Sequence, residues 1–155
     1  MRILVDGDSC PGKQMIERAA KENSVEVFIL CDVNHTLHSD YSKVIYVESG
    51  YQSVDMHLIN ICEKGDIIVT QDFGVAAMAL GKGASALGPK GYIYDANNID
   101  RLLFERHLNQ KARRGGEKTQ GPRKRNKEDD ERLYIILRLL IKKQNQLAEA
   151  YRIFP

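Results

Sequence analysis

The sequence predicts an α/β fold, a Rossmann-like three-layer sandwich built on a mainly parallel sheet. Short apolar runs of strand length alternate along the chain with segments of about ten residues whose apolar side chains recur at helical spacing. Strands joined by such helices form right-handed crossovers, which make the strands parallel and put helices on both faces of the sheet. The length of 155 residues is that of one ordinary domain.

The first half of the chain alternates strands and helices. The predicted elements are strand 2–6, helix 11–21, strand 25–31, strand 43–47 and helix 54–64. Pro11 falls in the first turn of its helix, where the missing N–H costs nothing. Ser53 is a suitable N-cap for the helix that follows, and Gly65 ends that helix.

The second half continues the pattern and ends in two longer helices. The predicted elements are strand 66–72, helix 73–82, a strand region 85–95 broken by the turn 88–91, helix 98–114, loop 115–125 and helix 127–147. An apolar stripe predicts which face of the last helix is buried; it consists of Leu133, Ile136, Leu137, Leu140 and Ile141. We therefore expect a single domain over residues 1–147, with a tail at 148–155.

Charge is unevenly distributed along the chain. The net charge of +2 conceals an acidic body, because residues 1–100 have 8 Lys and Arg against 14 Asp and Glu. Residues 101–127 have 10 Lys and Arg against 2 Asp and Glu. A basic stretch beside an acidic body favours a polyanionic partner.

Composition also bears on compartment and thiol chemistry. The sequence has neither a signal peptide pattern nor eighteen consecutive apolar residues, so we expect a cytoplasmic protein. Cys10, Cys31 and Cys62 form no CxxC pair, which favours reduced thiols over disulfides or a zinc site. Cys10 precedes a predicted helix, which would lower its pKa and make it a conceivable nucleophile.

Four aspartates follow strands or open the next helix. Asp6 and Asp8 come after the first strand, Asp55 lies in the first turn of the helix after the third, and Asp72 follows the fourth. Parallel strands end at the same edge of the sheet, so these side chains are expected to meet there. If the first strand lies beside the fourth, the topological switch point opens a crevice between Asp6 and Asp72.

Crowded carboxylates indicate a bound cation. Like charges repel unless a proton or a cation relieves them, and Mg²⁺ or Mn²⁺ accepts oxygen ligands. His35, His38, His57 and His107 show no metal-ligand spacing. Ser9 and Thr70 carry hydroxyls at the same edge and are candidates to support the aspartates or a ligand.

Structural explanations of the same residues remain open. Asp72 is a good helix N-cap, Asp55 is favoured by the helix dipole, and Asp8 is a candidate cap for the first helix. Asp32 and Asp95 also follow strand regions and are weaker candidates for the site. Ser9 and Thr70 can equally bond to the backbone.

The basic segment 111–127 is the candidate contact for nucleic acid. It contains no aromatic residue, and its proposed substrate-binding residues are Arg113, Arg114, Arg123, Lys124 and Arg125. Such a segment can follow a phosphate backbone, with weak sequence preference because aromatic platforms are missing. The alternative is an ordinary solvated loop.

Several motifs together resemble one family. VDGDSCP at 5–11, SVDMHLI at 53–59, GDIIVTQD at 65–72 and SALGPKG at 85–91 are similar to the YaiI/YqxD family of uncharacterised bacterial proteins, as is the stretch from Gly121 onwards. More weakly, residues 1–96 resemble PIN-like nucleases, which bind magnesium or manganese and cut RNA or DNA. That resemblance implies a metal site made by Asp6, Asp55 and the Thr70-Gln71-Asp72 triplet. PIN-like sites often include a further helical Glu, for which Asp8 is the candidate substitute.

Three functions are compatible with these observations. The first is a Mg- or Mn-dependent nuclease acting on RNA, in which Asp6, Asp55 and Asp72 hold the ion and Asp8 orients water or a second ion. The second is an aspartyl-phosphate type of phosphatase, with Asp6 as nucleophile and Asp8 as acid and base. The third is a nucleic-acid-binding module without catalytic activity.

Overall fold

The fold is described from a computed structural model, which covers residues 1–49 and 53–154. Its strands are β1 (Ile3–Asp6), β2 (Val27–Asp32), β3 (Lys43–Val47), β4 (Ile67–Val69), β5 (Ser85–Leu87) and β6 (Ile93–Tyr94). Its helices are α1 (Lys13–Glu22), α2 (Val54–Ile61), α3 (Phe73–Gly81), α4 (Ile99–Arg114) and α5 (Lys127–Ile153).

The six strands form one sheet in the order β3-β2-β1-β4-β5-β6. The first five strands are parallel, and β6 runs antiparallel to β5. Val5 in the centre of the sheet is in register with Ile29 on one side and Val69 on the other. This Rossmann-like arrangement confirms the predicted fold class, and it places β1 beside β4, the condition on which the predicted crevice depended.

Helices cover both faces of the sheet because the central strands are apolar on both. All four residues of β1 are buried. Ile3 and Val5 pack in the core against α1 and α5, whereas Leu4 packs in the core on the opposite face against α2, α3 and α4. The predicted stripe of α5 lies in the first of these cores, where Leu133 and Leu137 are completely buried.

Some element boundaries differ from the predicted ones. Helix α2 ends at Ile61 rather than at residue 64, because the last turn is closed by side chains from elsewhere in the chain. Lys82 Nζ donates to the carbonyl oxygens of Ile59 (2.6 Å) and Cys62 (3.1 Å), and Arg2 Nη2 donates to that of Ile61 (2.8 Å). The two cations thus donate to the last carbonyls of the helix, of which that of Ile59 also accepts the Cys62 backbone N–H (3.3 Å).

The end of the chain also differs from its prediction. Helix α5 continues to Ile153 instead of stopping at residue 147, so most of the predicted tail is helical. Residues 128–154 contain no Gly or Pro that would end it. Pro155 lies outside the described residues. Within the described residues, no helix combines the length and apolar character needed to cross a bilayer.

Candidate functional site

Two adjoining crevices open at the carboxyl edge of the sheet, the first where β1 lies beside β4 and the second over the ends of β1, β2 and β3. The first has a volume of about 370 Å³ and is lined by Asp6, Ser9, Asp55, Gln71, Asp72, Phe73 and Arg106. The second has a volume of about 240 Å³, and its polar lining consists of Asp6, Asp8, Asp32, Glu48, Ser53 and Asp55. Asp6 and Asp55 border both. The topology therefore brings together the four aspartates that the sequence singled out, at the switch point of the sheet.

Asp6 is held in a tight turn at the end of β1. Asp6 is only 6 % exposed. Its Oδ1 accepts a hydrogen bond from the Asp8 backbone N–H (3.3 Å) and its Oδ2 accepts one from the Ser9 hydroxyl (2.8 Å). Gly7 N donates to Leu30 O (2.7 Å), which pulls the turn onto β2. Ser9 thus fixes the orientation of the buried carboxylate.

Asp72 caps helix α3 and also borders the crevice. Its Oδ1 accepts hydrogen bonds from Gly74 N (2.8 Å) and Val75 N (3.2 Å), which is the predicted N-cap geometry. Thr70, completely buried, accepts the Asp72 backbone N–H at 3.0 Å through its hydroxyl. Both Thr70 and Asp72 therefore have a structural role in addition to their position at the site.

Asp55 shows how negative the crevice is. It lies in the first turn of α2 and is partly buried. Burial raises the pKa of Asp55, and the nearby charges of Asp6, Asp72 and Asp8 raise it further, while Arg106 opposes them. Among the described residues, its carboxylate has neither a hydrogen bond nor an ion pair. The cluster is thus one in which an added positive charge is favourable.

Asp8 is oriented by β2 and the loop that follows it. Its carboxylate accepts the Asp32 backbone N–H at 3.1 Å and lies 2.9 Å from His35 Nδ1. The alternative that Asp8 caps the first helix is wrong, because the N-cap of α1 is Gly12, which has left-handed backbone geometry and no side-chain cap. Asp95 bonds to the backbone N–H groups at the start of α4 and lies outside both crevices.

The carboxylates of the two crevices are the candidate ligands for a metal ion. Over residues 1–49 and 53–154, no three His, Cys, Asp or Glu side chains approach closely enough to hold an ion directly. The aspartates border the same space without closing into a cage. Their donors are all oxygens, and Mg²⁺ and Mn²⁺ need only one or two direct carboxylates because they retain several waters. The residues therefore fit a hydrated ion.

Comparison with known proteins identifies the family. The model of the uncharacterised YaiI/YqxD family matches residues 4–143. The chain belongs to this family. A UPF0178 protein of Clostridium tetani (strain Massachusetts / E88) is 64 % identical over 143 residues, covering 92 % of this chain and 98 % of that protein. Another, from Clostridium acetobutylicum, is 52 % identical over 143 residues, covering 91 % of this chain and 97 % of that protein. No solved structure matches the chain.

Cys10 is not an activated nucleophile. It is 2 % exposed, and burial raises the pKa of its thiol to about 12. The expected lowering by the helix is outweighed because the apolar core disfavours the thiolate.

The predicted substrate-binding cations fall into two groups. Arg123 and Arg125 are bound to the start of α5, through ion pairs with Asp129 (2.7 Å) and Asp130 (2.6 Å). Arg113, Arg114 and Lys124 are exposed, and Arg113 donates to Thr119 Oγ1 (2.6 Å). The structure does not bring this second group into either crevice.

Arg106 is a site residue that the sequence analysis missed. Its Nη1 lies 3.3 Å from Asp72 Oδ1, and its side chain is 43 % exposed at the crevice. It shares one face of α4 with Ile99, which is buried, and with Leu102 and Leu103, which are partly buried. A cation on the inward stripe of an amphipathic helix was the available signal.

Proposed function

We propose that the protein is a divalent-metal-dependent nuclease that hydrolyses phosphodiester bonds in RNA. The observation that carries this proposal is that Asp6, Asp55 and Asp72, from three separate elements, line one crevice at the switch point of the sheet. The resemblance of residues 1–96 to PIN-like nucleases supports it. A reducing, cytoplasmic setting is part of the proposal, since the three cysteines are free thiols.

A hydrated Mg²⁺ or Mn²⁺ would be held by Asp6, Asp55 and Asp72, with Asp8 in the adjoining crevice. When bound, such an ion activates water and neutralises charge on the phosphodiester. Side chains of the protein itself position the carboxylates. Ser9 holds the Asp6 carboxylate, and His35, whose Nδ1 lies 2.9 Å from Asp8 Oδ1, orients the Asp8 carboxylate.

Arg106 supplies the positive charge at the mouth of the crevice. Its guanidinium pairs with Asp72 at 3.3 Å and remains partly exposed. A guanidinium in this place can bind a phosphate oxygen and orient the scissile bond. It also offsets part of the carboxylate charge, which lets a polyanion approach an acidic site.

The test compares conservative Asp-to-Asn variants in two assays. Hydrolysis of a labelled single-stranded RNA is measured with Mn²⁺ and Mg²⁺, and ion binding is measured by calorimetry. Asp72→Asn preserves a good N-cap and Asp6→Asn preserves the shape of the turn, so both are expected to fold. We expect a loss of roughly 10²–10³-fold in rate, the scale of one lost electrostatic contact in an active site, and loss of ion binding.

Asp95→Asn is the control, because Asp95 also accepts backbone N–H groups, those of Asn97 and Asn98 just before α4, but lies outside the crevices. It is expected to keep full activity and ion binding. Unchanged ion binding in both Asp6→Asn and Asp72→Asn would refute the site.

A non-catalytic nucleic-acid-binding module is the second candidate. The specific observation in its favour is that the described aspartates form no three-ligand group. RNA binding in EDTA that falls steeply with salt, with no cleavage after Mn²⁺ is added, would favour it. Among the described residues, no contact specifically favours the phosphatase alternative.

A further inference from the structure

A larger cavity adjoins the first crevice, which is lined by Asp6, Asp55 and Asp72 and is called the acidic crevice below. The larger cavity has no part in the function proposed above. It has a volume of about 680 Å³, within the range of small-molecule and nucleotide sites. It lies between the β5–β6 hairpin, the starts of α3 and α4, and the end of the basic segment. Gln71 and Phe73 line both this cavity and the acidic crevice, so the two spaces are neighbours.

Three aromatic rings form one wall of this cavity. The ring centroids of Phe73 and Tyr94 are 5.8 Å apart, and those of Tyr92 and Tyr94 are 5.9 Å apart, both in edge-to-face arrangement. Tyr94 is 6 % exposed and its hydroxyl donates to Thr70 O (3.2 Å), which fixes the central ring. Tyr92 is 46 % exposed. The wall therefore presents the accessible ring of Tyr92 beside the buried, hydrogen-bonded ring of Tyr94.

The cavity lining contains four cations, three of which pair with carboxylates outside it: Arg101 with Glu105 (2.9 Å), Arg123 with Asp129 (2.7 Å) and Arg125 with Asp130 (2.6 Å). Among the described residues, its lining includes Lys90, Arg101, Arg123 and Arg125 and no carboxylate. Arg101 Nη2 lies 3.5 Å from the Tyr92 hydroxyl, and Lys90 Nζ donates to the carbonyl of Arg123. The acidic crevice next to it has the opposite character. This combination of a flat aromatic surface and cations complements a nucleobase with its flanking phosphates.

We propose that this cavity binds one unpaired base of single-stranded RNA, stacked on Tyr92, so that a neighbouring phosphodiester reaches the crevice at Asp6 and Asp72. The assignment rests on the proposed nuclease function and deepens it. The segment 111–127 itself has no aromatic residue, but the hairpin brings Tyr92 into the same cavity as Arg123 and Arg125. Base-paired RNA keeps its bases inside the duplex, so the site selects single strands.

The test measures binding without catalysis. Fluorescence anisotropy in EDTA follows a labelled 12-nucleotide single-stranded oligoadenylate and an abasic oligonucleotide of the same length and charge. We expect the wild type to bind the base-bearing strand more tightly. We expect Tyr92→Ala to weaken that binding about 5- to 150-fold, the range for loss of one stacked base, and to leave the abasic strand unaffected. Tyr92→Phe retains the ring and is expected to bind like the wild type.

Tyr46→Ala is the matched control, because Tyr46 is 45 % exposed on β3, at the opposite edge of the sheet from β6. Equal affinity of the wild type for the base-bearing and abasic strands, or equal affinity of Tyr92→Ala and Tyr46→Ala for oligoadenylate, would overturn the assignment. The two proposals fail separately. Base-dependent binding through Tyr92 without Mn²⁺-dependent cleavage refutes the nuclease alone, whereas cleavage that is indifferent to Tyr92→Ala refutes the base site alone.

Discussion

Replacing Asp55 by Asn removes one negative charge from the crevice. We expect the Asp55→Asn variant to have a higher Tm than the Asp100→Asn variant. Both residues occupy the second position of a helix, Asp55 after the N-cap Ser53 and Asp100 after the N-cap Asn98. Each carboxylate is favoured there by the helix dipole, so each variant loses that contribution, about 0.3–1 kcal/mol. Asp55 alone is surrounded by other carboxylates.

The difference between the two variants isolates the repulsion in the crevice. Relief of an unfavourable charge commonly contributes about 0.5–2 kcal/mol, and partial exposure of Asp55 puts the expected gain at about 0.5–1 kcal/mol. For a chain of this length, 1 kcal/mol corresponds to about 2–4 °C in Tm. Asp55→Asn is therefore expected to melt about 1–4 °C above Asp100→Asn at pH 7.

The pH dependence has a definite sign. Because the pKa of Asp55 is raised in the folded protein, its ionised form destabilises the fold above that pKa, and the penalty is absent below the ordinary Asp pKa of about 3.9. Thermal melts in EDTA from pH 3 to pH 8, followed by circular dichroism, measure this. The advantage of Asp55→Asn should disappear at the acidic end. If Asp55→Asn is destabilised as much as Asp100→Asn at pH 7, the crevice carries no significant repulsion.

Two further substitutions test the supports of the site and of the basic segment. Gly7→Ala places a methyl group 2.8 Å from Leu30 O, so urea unfolding is expected to show a loss of about 1–3 kcal/mol; an unchanged midpoint would contradict the close approach of the turn to β2. Asp129→Asn removes the partner of Arg123. The pKa of Asp129 is well below its usual range, mainly through Arg123, so its stabilisation is present above about pH 3.9 and lost as pH falls below that value. The variant should have a lower Tm at pH 7 and approach the wild type in acid, and a Tm difference that is independent of pH would argue against the ion pair.

Local patterns were sufficient to predict the parallel strands of the central sheet, whereas the switch point followed only on the condition that β1 lies beside β4, which the structure meets. β1, β2 and β4 are short apolar runs that alternate with helical segments, and the order of such units is restricted by the handedness of the crossovers. The extent of α2 and α5 was less predictable. The last turn of α2 is capped by Lys82 and Arg2, which are distant in sequence, and no local residue in α5 marks its end.

In the candidate site, too, local sequence predicts some positions, whereas others depend on how distant elements pack. Asp6 and Asp72 follow adjacent strands, so chain direction alone brings them to one edge. Arg106 comes from the middle of α4, and its approach to Asp72 depends on how α4 packs on α3, which no local pattern specifies. The aromatic wall depends in the same way on the antiparallel turn that returns Tyr92 and Tyr94 to the sheet.

The basic segment 111–127 connects α4 to α5, and ion pairs hold its C-terminal end to α5. On one side it continues from α4, and on the other Arg123 and Arg125 tie it to the first turn of α5, whose Leu133 and Leu137 are completely buried in the core. The peptide link across residues 115–122 is thus not what keeps α5 in place. This makes the segment a natural split point, where the chain can be divided into two fragments whose association is driven by the buried face of α5.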